Sequence, residues 1–371
     1  MPWEARVAQE SLDWIEPVAQ KAAGYFYGRL FASDPRLREL FPPAMDRQRD
    51  RMFRALIEIV GSLDDLAALD RTLARLGRCH RKFGVLPEHY PLMGAALIAT
   101  LRRFGGTAWT AETETAWTAA YRSASRLMIA AAERDAALAP PWWVAEVTAH
   151  DRRAADLAVL TLRPDRPLPY EPGQYVPVQV RRWARVWRPY SPAGAPRPDG
   201  TLHLHVRAVP GGWVSGTLVR HTAPGDTVLL GSADGTMTLD GTGGRDLLLV
   251  AGGTGLAPLK AIAEQAATSA RDRSVHLLVG ARTQDGLYDI DSLRALAAAW
   301  PRLQVTPVVS GDPDHPGTRG SLPDVLGRFA DPGRHEVYLA GPAGMVRAAA
   351  GVLSDLGVPP EHVHHDPIEP P

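Results

Sequence analysis

The sequence predicts a multidomain chain of three folds in series: an all-α domain over residues 1–139, an antiparallel β-barrel over 140–243 and an α/β domain with a parallel sheet over 244–371. Three observations predict this. Apolar residues recur at helical spacing from Val18 to about Ala139, the apolar period changes to two after Pro140, and unbroken apolar runs alternate with helical segments from about Arg245. A chain of 371 residues is also too long for one ordinary core and suits two or three domains.

Within the helical third, SDP before Arg36, FPP at Phe41 and GVLPEHYP at Gly84 separate the helices. The Pro-rich stretch at Pro140 marks the joint to the next domain. There LAVLTL and YVPVQV are short β-rich runs bounded by Pro, Gly and Asp, and LHLHVRAV from Leu202 alternates strictly. Several such strands suggest a small antiparallel barrel. In the last third the apolar runs LLLVAG, VHLLVGA, VTPVV and VYLAG alternate with PLKAIAEQAATSA and MVRAAAGVLSDLG. Unbroken apolar strands between helices imply a parallel sheet covered on both faces.

Composition removes several functional classes. Lys plus Arg and Asp plus Glu both total 41, so the formal charge is zero and nothing favours nucleic acid as a partner. Cys79 is the only cysteine, which excludes an intramolecular disulfide, a Cys-rich zinc site and an iron-sulfur cluster held by this chain alone. The start, MPWEARVAQE, lacks a basic segment followed by an apolar run, and no stretch approaches membrane-spanning length. A cytoplasmic protein without a membrane partner is expected.

In LDRTLARLGRCHRKFG, Leu69, Leu73, Leu76, His80 and Phe83 recur at spacings of four and three, which puts His80 on the apolar face of a helix. An imidazole there needs a partner. It is either a core histidine bonded to a backbone carbonyl or a ligand to a haem iron. Farther along, LLLVAGGTGLAPLKAI carries an apolar strand into GGTG and then a helix with Pro258 in its first turn, where a missing N–H costs nothing. Glycines in such a turn let a pyrophosphate approach the backbone and the helix N-terminus.

The helical region resembles the globin domain of flavohaemoproteins over nearly its whole length. FYGRLF carries Tyr27, RLRELF ends in Phe41, and CHRKFGVLPEHYPLMG matches the segment around the haem ligand, with no gap between Gln48 and Tyr90. The resemblance makes His80 the iron ligand, Tyr27 and Gln48 the distal pair, Phe41 the wedge against the haem and Met52 the apolar residue one turn beyond Gln48. Gln48, Met52, Ala55 and Ile59 share a helical face, as a pocket-lining helix requires. Tyr27 and Gln48 can together donate hydrogen bonds to bound dioxygen. Tyr90 fits the family's proximal tyrosine, and Glu133, one residue beyond the matching Ala132, is taken as the proximal glutamate that accepts the ligand's N–H. Cys79 stands where relatives often have a lysine.

The rest resembles the flavin and nicotinamide module of the same family, a reductase of the ferredoxin-NADP reductase type. In WRPYSP, Arg188 would pair with the FAD pyrophosphate, Tyr190 would lie against the isoalloxazine ring with Pro189 between them in sequence, and Ser191 would bond the nitrogen that accepts hydride. EPGQY places Tyr175 near the ribityl chain, and GGWVSG offers Gly212, Val214 and Ser215 to the second phosphate. GGTGxAP is the family's nucleotide loop, which brings in Gly253, Thr254, Gly255 and Pro258; VYLAGP sets Gly341 and Pro342 near the nicotinamide. Arg282 sits where adenosine is read, able to bind a 2′-phosphate or stack on adenine. Ala340 replaces a frequent cysteine, and Ile368 takes the place of an aromatic that covers the flavin.

The resemblance thus implies haem b, FAD and NADH (or NADPH) as cofactors, with O2 and NO as small-molecule partners. It implies nitric oxide dioxygenation to nitrate, electrons passing from NAD(P)H through FAD to the haem. A haem-based sensor controlling the reductase, and a reductase serving a separate protein, are the alternatives.

Overall fold

The computed structural model describes residues 10, 14–239, 243–270 and 272–367. They form two compact units, 1–142 with 184–186, and 143–183 with 187–371. No helix among the described residues is long and apolar enough to cross a membrane.

The first unit is helical. Its α-helices among the described residues from Ala19 onward are α1 (Ala19–Ser33), α2 (Asp46–Gly61), α3 (Leu66–Arg81), α4 (His89–Gly105) and α5 (Ala111–Ala136), with a 3-10 turn at Pro35–Leu40 after α1. Asp65 caps α3 by accepting from the amides of Ala67 and Ala68 at 3.0 Å, and Thr110 caps α5 through the Thr113 amide at 3.1 Å. Helix α3 lies on α5 at Gly77, where a Cβ would overlap the carbonyl of Met128. Only glycine allows that approach. Tyr121 of α5 fills the space beside Gly94 and donates to the Tyr90 carbonyl at 2.7 Å, fixing the first turn of α4.

The second unit holds two sheets. Strands β1 (Trp143–Ala154), β2 (Leu157–Pro164), β3 (Val176–Val180), β4 (Arg188–Tyr190), β5 (Leu202–Arg207) and β6 (Thr227–Leu230) form an antiparallel sheet ordered β4-β3-β6-β1-β2-β5. A bridge between Pro192 and Leu204 joins its two edges and nearly closes it into a barrel, with α6 (Trp213–Arg220) packed on β3 and β5.

One departure from strict alternation is informative. The period of two turns His205 of β5 to the outer face, yet its side chain is buried and its Nδ1 lies 2.8 Å from the Tyr288 hydroxyl. The parallel-sheet domain covers that face. Burial draws the His205 pKa down to about 3, with Asp289 pulling the other way. A histidine kept neutral in the fold stabilises it above the ordinary pKa near 6.5 and loses that contribution as pH falls from there towards 3. Urea midpoints measured at pH 7.5 and 4.5 should therefore separate less in His205→Gln than in the wild type, by up to roughly 1.4 kcal/mol per pH unit crossed.

The second sheet is wholly parallel. It consists of β7 (Asp246–Gly252), β8 (Val275–Ala281), β9 (Leu303–Val309), β10 (Thr318–Arg319), β11 (His335–Ala340) and β12 (Val363–His364), ordered β10-β9-β8-β7-β11-β12. Leu247, Leu249 and Ala251 of β7 point into one apolar layer, while Leu248 and Val250 point into the other. That double burial explains the unbroken apolar run. Helices α7 (Leu256–Ser269), α8 (Ile290–Ala299), α9 (Leu322–Leu326) and α10 (Ala343–Asp355) connect the strands. The strand order reverses between β7 and β11, and open α/β sheets bind ligands in the crevice beyond the strand ends at such a switch.

Candidate functional site

His80 lies in the last turn of α3, deep within the first unit yet still partly accessible, as befits a group facing a cleft. Its Nδ1 is 3.3 Å from the Tyr90 hydroxyl. Burial, helped by the Lys82 charge, pulls its pKa down to about 4, so the imidazole is neutral and one ring nitrogen carries a lone pair. Nε2 makes no hydrogen bond among the described residues. Burial also pushes the Tyr90 hydroxyl up to about 12, so it keeps its proton.

Tyr27, on α1, is buried against Phe41, their ring centroids 5.3 Å apart at 75°. Its hydroxyl accepts from Gln48 Nε2 at 3.3 Å, and burial pushes its pKa up to about 12 despite that bond and the Arg49 charge. Helix α2 borders three apolar clusters: Met52 packs with Tyr27, Phe41, Leu37 and Met93, Ile59, two turns on, packs with Leu73, Leu76 and Tyr90, and Val60 with Phe53 and Leu56 joins a third around Leu101 and Trp117. Phe41, Met52, Leu76 and Ile59 are only half-buried. A neutral imidazole with a free nitrogen, set among half-covered apolar side chains, fits a haem.

Glu133 corrects the expectation placed on it. Its side chain is exposed on α5 and bonds neither His80 nor Tyr90. One residue beyond Ala132 is a rotation of about 100°, enough to turn it to solvent. The acid that α5 directs towards α3 is Asp135, which pairs with Arg81.

In the second unit, the pairing of Val176 with Tyr190 and of Val178 with Arg188 puts β4 beside the strand that follows Tyr175. Arg188 donates to the Trp187 carbonyl at 2.8 Å, Pro189 is exposed, and Tyr190 and Ser191 are half-buried. Burial drives the Tyr190 hydroxyl well above its ordinary range. Tyr175 exchanges backbone bonds with Asp234 at 2.9 Å and donates its hydroxyl to Asp234 Oδ2 at 3.3 Å. Gly212 precedes α6, Val214 and Ser215 are buried in its first turn, and no side chain caps that helix. Ser215 Oγ instead accepts from the Val209 amide at 3.3 Å and occupies the space a Cβ at Gly212 would need. An uncapped first turn beside a glycine suits phosphate oxygens.

Asp366, which sequence reasoning missed, supplies the strongest sign of a ligand there. Its Oδ1 is buried without a hydrogen-bond partner, next to Gly235 and Tyr175, and burial with the neighbouring Asp234 charge raises its pKa to about 6. A polar atom left in that state fits a site completed by a polar ring system such as flavin. Nothing local in HHDP signals it. Ile368 lies outside the described residues.

At the switch point, β7 runs through a 3-10 turn at Gly253–Gly255 into α7. Gly253 has φ +56°, and a Cβ at Gly255 would overlap the Ala340 carbonyl and crowd the Gly341 amide. Gly341 itself has φ +153°, and Pro342 precedes α10. The GGTG turn, Thr254 within it, thus abuts the end of β11, and Pro258 completes the first turn of α7. Arg282, exposed just past β8, makes no side-chain hydrogen bond or ion pair among the described residues, while its carbonyl accepts from the Gly311 amide at 2.7 Å.

Comparison with known proteins agrees with this arrangement. The globin family model matches residues 24–127, the oxidoreductase FAD-binding domain 144–238 and the oxidoreductase NAD-binding domain 249–351. The flavohemoprotein of Bordetella pertussis is 30% identical over 371 residues, covering 92% of this chain and 91% of its own. The chain belongs to the flavohaemoprotein family. A flavohemoglobin structure from Malassezia yamatoensis with bound FAD and haem superimposes with a TM-score of 0.80 over 99% of this chain and 98% of that one, at 18% identity, a likeness of fold. The reductase component of the naphthalene 1,2-dioxygenase/salicylate 5-hydroxylase systems of a Ralstonia species is 38% identical over 226 residues, 60% of this chain and 68% of that one. This flavohaemoprotein is accordingly an oxidoreductase with haem, FAD and a nicotinamide nucleotide as cofactors.

Proposed function

We propose that this flavohaemoprotein is a nitric oxide dioxygenase that uses NADH. With haem and FAD bound, the cofactors supply the redox chemistry: hydride to flavin, single electrons onward to iron, and oxidation of nitric oxide by dioxygen to nitrate. The chain's own residues orient and stabilise. His80 would hold iron through Nε2 while its Nδ1 is kept in register by the Tyr90 hydroxyl. Arg188 and the first turn of α6 would take the FAD diphosphate, Ser191 and Tyr190 the isoalloxazine, and Tyr175 the ribityl chain. Gly253, Thr254 and Gly255 would admit the nicotinamide nucleotide's pyrophosphate, with Arg282 at its adenosine and Gly341 and Pro342 at its nicotinamide.

The observation that carries the reading is the Tyr27–Gln48 pair. The tyrosine keeps its proton, which it gives to the Gln48 backbone carbonyl over a long 3.5 Å, and the Gln48 amide nitrogen donates to the same hydroxyl oxygen at 3.3 Å, so two donors that can turn to a ligand stand side by side against an apolar cluster. Such donors stabilise negative charge that develops on dioxygen. Tyr27→Phe should speed dioxygen release from the reduced protein by roughly 10- to 100-fold, the worth of one hydrogen bond to a charged acceptor. Stopped-flow release rates measure this, and an unchanged rate rules the tyrosine out.

The activity is tested by mixing the NADH-reduced protein with oxygen and nitric oxide and measuring nitrate. Stoichiometric nitrate is expected. The higher identity of the reductase half to a separate electron-transfer component favours one second reading, delivery of electrons to another protein. NADH oxidation that needs an added carrier, with the haem unreduced, would support that reading instead.

A further inference from the structure

Beside Gly211 and Gly212 stands a group that the roles above leave unused. Trp213, the first residue of α6, stacks on Trp183 with ring centroids 4.6 Å apart and planes at 23°. Trp183 is held in turn. Its Nε1 donates to Thr217 Oγ1 at 3.2 Å, and the guanidinium of Arg182 lies 5.8 Å from its ring centroid. Arg182, Trp183 and Trp213 thus form a layered stack whose outer member is 40% exposed.

Val209, on the other side of the glycine pair, is 54% exposed. Large apolar side chains left uncovered on both flanks of one glycine turn mark a binding surface more than a solvated one. The chemistry of the occupant follows from what adjoins it. The first turn of α6 presents backbone N–H groups uncapped by any side chain, which suit a diphosphate, and an aromatic ring on that turn suits a flat base tethered to it.

We propose that the face of Trp213 away from Trp183 seats the adenine of FAD, extending the Arg182–Trp183–Trp213 stack by one layer. This rests on the reading of the α6 N-terminus as the diphosphate site. Adenine is one ribose from that diphosphate, so a ring carried by the helix's first residue is within its reach. Trp183 and its bond to Thr217 hold the Trp213 ring before the flavin arrives, so little freedom is lost on binding. The stack gives the chain a means to prefer FAD to FMN, which lacks the adenosine half.

Full-length protein stripped of flavin is titrated with FAD and with FMN. Trp213→Leu keeps apolar bulk without a π face, whereas Trp213→Phe keeps a ring. Stacking of a base on an aromatic is worth about 1–3 kcal/mol, so Trp213→Leu should weaken FAD roughly 5- to 150-fold. FMN affinity should stay unchanged, and Trp213→Phe should retain most of the FAD affinity. In the wild type, indole fluorescence should quench more with FAD than with FMN. Equal losses for FAD and FMN in Trp213→Leu, or equal FAD affinities for the Leu and Phe variants, overturn the proposal and leave the patch as a protein-docking surface. Gly212→Val tests the underlying reading separately: if it abolishes FAD binding while Trp213→Leu has no effect, the diphosphate site stands and only the adenine stack fails.

Discussion

His80→Ala should purify without a Soret band while retaining its flavin absorbance. The two cofactors draw on residues of different compact units. Removal of the imidazole takes away Nε2, the ring nitrogen with no hydrogen bond among the described residues, together with the Nδ1 that stands beside Tyr90. It also removes the ring whose centroid lies 6.2 Å from that of Tyr90. The haem retained should fall from stoichiometric to a trace, and NADH should still bleach the flavin. An unchanged Soret band would refute His80 as the ligand. A Soret band restored by added imidazole would show that the pocket, not only the ligand, survives.

Gly255→Val should have the second large effect, on the reductase alone. A Cβ at this position would meet the Ala340 carbonyl and the Gly341 amide, and both groups belong to backbone that cannot swing aside. The larger side chain forces the GGTG turn away from the end of β11, so the crevice at the strand switch loses its shape. Flavin reduction by NADH should slow by at least about 100-fold, the range expected when reacting groups shift by about 1 Å. Dithionite should reduce flavin and haem as in the wild type, because neither cofactor contacts that turn in the proposed arrangement. Equal rates with NADH would mean the nucleotide binds elsewhere.

The legibility of the sequence varied with the range of the interactions involved. The apolar runs of β7 and β8 and the helical spacing of α3 depend on neighbours a few residues apart, so period alone located them. The GGTG turn was equally plain as a motif, and Gly253 answers to local backbone geometry, whereas the carbonyl that requires Gly255, that of Ala340, lies far away in sequence. His205 was not: alternation turned it outwards, and only the packing of Tyr288, more than eighty residues away, buries it. Glu133 failed for the opposite reason. Counting from a family pattern set it one position from Ala132, and a helix converts one position into a different face. Trp213 and Asp366 went unread because stacking on Trp183 and crowding by Asp234 are contacts between distant segments. Trp213 left one hint, a large ring in a motif otherwise made of small residues.

Gly77 has a consequence for how the haem side of the chain can yield. Backbone meets backbone where α3 crosses α5, so the helix bearing His80 has no side-chain cushion there and can neither slide nor roll without separating from its neighbour. The opposite wall is looser: among its described side chains only Val60 of α2 is fully buried. Compliance in this molecule is therefore one-sided, and guest molecules of different size would be accommodated by α2, carrying Gln48, while the imidazole keeps its station.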